Sequence, residues 1–189
     1  INSSVSGTTL KIPYYKVISK DKDITISPQI FLDKKVIFQS EYRQAFKNSD
    51  AIIDFSFTKE EGKSKSHFFS NIKGKKNESF FELNLEKVNN DKYLKIDKID
   101  SALIKSKSEL NSYLNYEASS ENYNLSTSLE VFEDLNKAKS DRFEYIYPDI
   151  KFSKNLNYLD NYGQLEFSTE GYQKNFNTNQ GCSALSLVN

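Results

Sequence analysis

The sequence predicts an all-β protein built from antiparallel hairpins, and three observations carry that expectation. Apolar and polar residues alternate with a period of two through most of the chain, which places them on opposite faces of a strand. The alternating stretches are separated by short polar runs, the lengths at which consecutive strands return antiparallel. Aromatic residues are abundant, 12 Tyr and 14 Phe among 189 residues, although hydrophobic residues make up only 37%. That balance suits a folded sheet with one apolar face rather than a disordered chain.

The elements follow in order. In DITISPQIFL, Ile24, Ile26, Pro28, Ile30 and Leu32 share one face, and Thr25, Ser27 and Gln29 the other. In VIFQSEYRQAF, Val36, Phe38, Tyr42 and Phe46 alternate with Gln39, Glu41 and Arg43. In AIIDFSFT, Ala51, Ile53, Phe55 and Phe57 alternate with Asp54, Ser56 and Thr58. FFELNLEKV sets Phe81, Leu83 and Leu85 against Glu82, Asn84 and Glu86. YNLSTSLEVF sets Leu125 and Leu129 against Ser126 and Glu130, and GQLEFSTEGY sets Leu165 and Phe167 against Glu166 and Ser168. Turn signals fall at 19–23, 33–35, 47–50, 73–78, 119–122 and 160–163. The total is about ten strands of about ten residues each. The stretch LEKVNNDKYLKIDKIDSALIKSK has mixed spacing and reads as a strand end and a loop rather than a helix. No domain boundary is visible across residues 1–180, whereas the tail 181–189, GCSALSLVN, loses both charge and alternation.

Composition narrows the function classes. Lys+Arg and Asp+Glu are 26 each, so the chain lacks the basic excess of a nucleic-acid binder. A single cysteine, Cys182, excludes an intrachain disulfide. No apolar run approaches the ~18 residues of a membrane-spanning helix. The opening INSSVSGTTL lacks a signal peptide's basic start and apolar core. It also lacks an initiating Met, which favours an internal piece of a longer exported chain. His67, the one histidine, has no Cys or spaced carboxylates for a metal site and no serine at a recognisable triad motif. It reads as a hydrogen-bonded strand residue. With 26 acidic residues, chance carboxylate pairs are expected, so a glycosidase pair has no specific support. There is no glycine-rich phosphate loop. No cofactor and no enzymatic activity are expected.

Two architectures fit the alternation. One is a soluble all-β binding or adhesin-like module, a sandwich or open sheet. The other is part of an antiparallel, up-and-down transmembrane β-barrel, whose strands run about 9–11 residues with one face to lipid and one to the lumen. Strand length favours the barrel, since strands in soluble folds usually run about 5–6 residues. Tyr14, Tyr15, Tyr145, Tyr147 and Tyr158 near strand ends suit an interfacial girdle. In the barrel reading, Asp23, Glu41, Arg43, Asp54 and His67 are lumen-facing, with Glu41 and Arg43 able to form a charge ladder with Asp54 or His67. The lysines at 59–76 read as a solvated pair of turns.

Proline is normally kept out of strand interiors, because it withholds an N–H from the ladder. Pro13 and Pro28 nevertheless bracket IPYYKVISKDKDITISP. This stretch resembles the start of the barrel domain in the lipopolysaccharide-assembly LptD family. The resemblance is carried by Pro13-Tyr14-Tyr15, Ile18, Asp23, Thr25 and Pro28, then Glu41-Tyr42-Arg43, and more loosely Asp91 and Tyr93. It runs from about residue 5 to at least 170, and its first forty residues are the specific part. Lys16 replaces the family's aromatic after the tyrosine pair.

The resemblance implies the N-terminal strands of an outer-membrane translocon, which inserts lipopolysaccharide into the outer leaflet through a lateral gate near its first strands. Pro13, Tyr14, Tyr15 and Pro28 would then belong to the gate strands. It further implies an LptE-like plug lipoprotein inside the barrel and a periplasmic LptA-like bridge, docking on a domain outside this segment. The setting would be the bacterial outer membrane and its lipid. A net hydrogen bond is worth about 0.5–1.5 kcal/mol, so two missing donors would weaken such a seam selectively. Without the resemblance, the prolines read as strand ends or edge protection.

Overall fold

The computed structural model describes residues 9–32, 35–60, 62–156, 163, 165–176 and 183–188. The strands are β1 (Thr9–Lys11), β2 (Tyr14–Ser19), β3 (Lys22–Ile26), β4 (Gln29–Phe31), β5 (Val36–Ala45), β6 (Ser49–Glu60), β7 (Lys63–Lys76), β8 (Ser79–Val88), β9 (Glu109–Ser119), β10 (Tyr123–Asp134), β11 (Phe143–Leu156), β12 (Leu165–Phe176) and β13 (Ser183–Val188). One helical turn, α1 (Tyr93–Ile96), interrupts the connection from β8 to β9. Hydrogen bonding runs β1-β4-β5-β6-β7-β8-β9-β10-β11-β12-β13, with β3 pairing β2 and β5. The described pairings are antiparallel and mostly between chain neighbours, as the short turns require. The two ends of this path, β1 and β13, are not paired with each other among the described residues.

Contacts divide the chain into two units, Ile1–Ile72 with Leu85–Leu110, and Lys73–Asn84 with Asn111–Asn189. In the first unit, β5 and β6 pair from Ile37 opposite Thr58 to Ala45 opposite Asp50. This register puts Phe38 beside Phe57 on one face and Gln39 beside Ser56 on the other. The apolar side is the open one: Phe55 is 37% and Phe57 43% exposed, whereas Asp54, Ser56 and Thr58 between them are at most 1% exposed. What covers the polar side is the long connection after β8. Tyr93, Leu94 and Ile99 are buried there, together with Ile37 and Phe69 of the sheet.

In the second unit, β10, β11 and β12 align Ser126, Lys151 and Glu170 on one face, and Leu125, Phe152 and Thr169 on the other. Tyr123, Ile150, Leu165 and Phe167 stand exposed on the apolar face. Registers shift between Ser128 and Glu130 in β10, and between Ile146 and Asp149 in β11. The turn from β7 to β8 is tight: Asn77 takes φ 54, a conformation that Asn tolerates better than most residues. Gly74 of β7 lies under the ring of Phe81 of β8.

Several expectations change. The stretch at 24–32 is not one strand, because the ladder breaks at residues 27–28 and Pro28 lies in the break. The turn expected at 73–78 is narrower, since β7 continues through Lys76. The lysines at 59–76 therefore lie largely on strands, where Lys65 reaches Glu60 at 2.6 Å and Lys73 reaches Glu82 at 3.5 Å. Within the tail, residues 183–188 form β13 against β12. Asp33 and Lys34 of one expected turn, the DNY of another, Tyr158 and Cys182 lie outside the described residues.

A Cβ at position 74 would collide with the Phe81 ring. Because Phe81 is partly exposed, the ring can swing away at a cost, so Gly74→Ala should destabilise the chain by about 1 kcal/mol, the lower end for overpacking. Equilibrium unfolding in denaturant, with Phe81→Ala as the relieving second change, measures it.

Candidate functional site

Two features of the first unit concentrate the residues singled out from the sequence. The first is the proline hairpin. β1 pairs β4 and β2 pairs β3 in one continuous register: Lys11 lies opposite Gln29, and Tyr14 opposite Ile26. Pro13 and Pro28 thus fall in the two breaks of a single hairpin, one residue apart along it: the register sets Pro13 opposite Ser27 and Pro28 opposite Ile12. At that level the ladder keeps one bond, from the Ile12 amide to the Pro28 carbonyl at 3.1 Å. In an antiparallel pair of this kind the reciprocal bond would run from residue 28 to the Ile12 carbonyl, and proline cannot donate it.

Pro13 removes its donor at the border of the hairpin rather than inside it. Groups along a strand point alternately to either side, and Ile12 faces β4. Position 13 therefore faces the edge that stays unpaired among the described residues, and its missing N–H is denied to whatever strand would pair there. The tyrosines beside it are open, Tyr14 at 60% and Tyr15 at 54% exposure.

The second feature is the polar face of β3, β5, β6 and β7. Asp23, Glu41, Arg43, Asp54 and His67 all lie on it, but they separate into two groups. Arg43 Nε donates to Asp23 Oδ1 at 2.9 Å and lies 3.7 Å from Glu41 Oε1, a half-exposed cluster set by the Asp23–Arg43 register. The expected ladder from Glu41 and Arg43 to Asp54 or His67 does not form, although Glu41 and Asp54 stand opposite in register. Asp54 instead accepts from Gln39 Nε2 at 3.3 Å and sits 3.4 Å from His67 Nε2.

His67 is a hydrogen-bonded strand residue, and its partner is a serine that no sequence motif marks. Ser56 Oγ lies 2.6 Å from His67 Nδ1 and 2.7 Å from the Tyr93 hydroxyl. Strand alternation places Asp54 and Ser56 on one face of β6, and β7 brings His67 across from them. These are the residue types of a nucleophile, a base and an acid. Here, however, Tyr93 occupies the remaining side of Ser56, all are buried, and a substrate has no approach. The arrangement anchors the covering segment.

A second polar contact holds the same segment. Asp97, next to α1, is paired with Lys35, which also lies 3.3 Å from Glu60 Oε2, while Lys65 Nζ lies 3.8 Å from Asp97 Oδ2. Gln39 Nε2 donates to the Asp100 carbonyl at 2.8 Å. Burial pushes the Tyr93 hydroxyl up to about 12, with Asp97 and Asp54 acting in the same direction against the Ser56 hydrogen bond. The roles of Ser56, Tyr93, Asp97 and Lys35 as anchors carry no motif in the sequence. The pattern Asp54-x-Ser56-x-Thr58 was a usable signal, because three polar residues on one strand face ask for a partner.

The second unit carries a cleft of about 710 Å³, whose polar lining includes Glu117, Ser119, Asn124, Ser126, Lys151 and Glu170. Lys151 and Glu170, register partners on β11 and β12, pair at 2.8 Å. Among the described residues no cluster of His, Cys, Asp and Glu could hold a metal ion, and no helix is long and apolar enough to cross a membrane. No family model and no curated protein matches the chain.

Ser56→Ala would leave both the Tyr93 hydroxyl and His67 Nδ1 buried without this partner, at about 1–3 kcal/mol for each group. It should therefore destabilise by at least about 2 kcal/mol, against about 1 kcal/mol for Tyr93→Phe, which leaves the Ser56–His67 bond in place. Denaturant unfolding of the two variants checks the order. With its folded pKa raised, Tyr93 contributes its full stabilisation below pH ~10, the unfolded value, and loses it as pH rises towards about 12. The tyrosinate absorbance of the wild type minus that of Tyr93→Phe should accordingly titrate near pH 12.

Proposed function

We propose that this chain contributes strands to an outer-membrane β-barrel, with the aromatic face against lipid, the polar face lining the lumen, and the proline hairpin at a seam that opens sideways. One observation carries the membrane part of this reading: the polarity of the sheet is inverted. Phe38, Phe55, Phe57 and Phe68 stand exposed while Asp54, Ser56, Thr58 and His67 are buried. In water the hydrophobic effect works against such an arrangement, at about 25 cal/mol per Å² of apolar surface left exposed. Against lipid the aromatic face is in its own solvent, and a polar interior is the normal state of a barrel. The second unit also exposes aromatic and aliphatic side chains, Tyr123, Ile150, Leu165 and Phe167, although its polar face at Ser126, Lys151 and Glu170 is open too.

The seam rests on the hairpin. A strand closing a barrel against β1 and β2 would find no donor at Pro13 and a weakened ladder one strand further in, at Pro28. An unpaired carbonyl in a hydrocarbon environment costs several kcal/mol, so a seam already short of bonds parts at lower cost than any other pair. The cargo of this reading is an amphipathic lipid, whose chains would leave sideways while its polar part follows Asp23, Glu41 and Arg43. Lipopolysaccharide as that cargo, with an LptE-like plug and a periplasmic LptA-like bridge as partners, rests on the resemblance at residues 13–43. The protein is read as a conduit and not an enzyme.

Partitioning tests the membrane part. The chain should enter detergent micelles or liposomes and aggregate without them. A monodisperse monomer in plain buffer would reject the barrel in favour of a soluble all-β binding or adhesin-like module, whose cover would be Tyr93, Leu94 and Ile99. For the seam, Pro13→Ala with Pro28→Ala in a complete barrel restores both donors and should slow lipopolysaccharide export. Unchanged surface lipopolysaccharide would remove the gate assignment.

A further inference from the structure

We infer that residues 89–108 form a releasable strap, latched over the polar face of β5, β6 and β7 by Tyr93 and Asp97, and that undocking it uncovers Asp54, Ser56 and His67. Length is the first argument. The described hairpins at Ser19–Lys22, Ala45–Ser49, Lys76–Ser79 and Ser119–Tyr123 close in a few residues, whereas the β8–β9 connection runs from 89 to 108 with a single helical turn. Connections longer than about 12–15 residues without regular structure are uncommon in compact domains, and those that persist are commonly lids or binding loops.

The start of the strap is clamped. Asn89 accepts from the Ser66 amide at 2.8 Å through its side chain and donates to the Ser64 carbonyl at 3.2 Å, and its own amide donates to the Ser66 carbonyl at 3.1 Å. A clamp at one end is what a hinge requires. Beyond it, polar anchors to the sheet include Tyr93 on Ser56, Asp97 on Lys35 and Lys65, and the Asp100 carbonyl on Gln39.

The surface beneath is the second argument. A purely apolar surface would demand a permanent cover. This one is mixed: Ile37 and Phe69 lie beneath the segment, but so do Asp54, Ser56, Thr58 and His67, all of which water can solvate. Docking leaves two polar atoms buried without a hydrogen bond: His67 Nε2, with only Asp54 Oδ2 at 3.4 Å, and Asp97 Oδ2, with Lys65 Nζ at 3.8 Å. Both would gain water on release, while Leu94 and Ile99, with Ile37 and Phe69 beneath them, would lose their burial. The docked state is therefore favoured by a few apolar side chains and the ionic latch, and opposed by the polar groups it dries. Such a balance gives local opening well below the free energy of global unfolding. The inference stands independently of what the polar face carries.

The test uses the full chain with Cys182→Ser and Ser56→Cys, kept folded in micelles or in buffer according to where it partitions. A small thiol reagent should label the buried Cys at a rate nearly independent of low denaturant. Adding Asp97→Asn should raise that rate about tenfold by opening the latch. Labelling with the denaturant dependence of global unfolding would make the segment a fixed part of the fold and overturn the strap. A rate unchanged by Asp97→Asn would overturn the latch. If Ser56→Cys fails to fold, hydrogen exchange on the unaltered chain decides. The Ile96 and Asp97 amides should then exchange through local opening while the β5–β6 amides follow global unfolding, and a common denaturant slope for both sets would overturn the proposal. Either measurement reads the folded chain itself, so a failed barrel reading leaves this test intact.

Discussion

An antiparallel ladder assigns every side chain to a face as soon as its hydrogen bonds close, and the rest of this structure depends on that constraint. Once Ile37 lies opposite Thr58, Phe38 and Phe57 must share one face and Gln39 and Ser56 the other. A slip of one residue would exchange the faces entirely. The polar face can be buried only because a partner meets its groups: the Tyr93 hydroxyl and His67 Nδ1 both lie on Ser56 Oγ. The apolar face is then left outward, and the functional reading follows from where that leaves the aromatics.

The ladder also explains why two prolines in one hairpin have different consequences. Pro28 faces its neighbour and deletes a bond that Ile12 would have accepted. Pro13 faces the free edge and deletes a bond that exists only if another strand arrives. One defect lies inside the hairpin and the other at its border, one residue along, so the hairpin is weakest where its edge is least able to pair. Edge protection and a parting seam share this physics. They differ only in whether a strand is meant to dock there and later leave.

The two polar groups of the inner face have different energetic characters. Asp23, Glu41 and Arg43 are half-exposed, and their ion pairs are screened, worth little to stability and open to a passing polar ligand. Asp54, Ser56 and His67 are dry, so each missing partner is expensive and the group is tied to the strap that covers it. Ser56, His67 and Asp54 could be mistaken for a catalytic relay if read as residue types alone. Burial and the competing Tyr93 hydroxyl decide against that role in the docked state.

The sequence by itself determined the all-β class, the order of the main strands and which residues share a face, because period-two alternation is local and survives any packing. It also marked Pro13 and Pro28, and it placed Asp23, Glu41, Arg43, Asp54 and His67 on one side. Only the tertiary structure decided that Pro28 sits in a break between two strand segments of one register, that Pro13 faces the edge of the hairpin, and that β7 runs on to Lys76. The same holds for the partners. Arg43 goes to Asp23 rather than to Asp54, and Ser56 joins His67 to a tyrosine from a distant loop. Such pairings depend on register and on where a long connection folds back. Neither is written in any local run of residues, since a loop with mixed spacing carries no periodic signal of the surface it will cover.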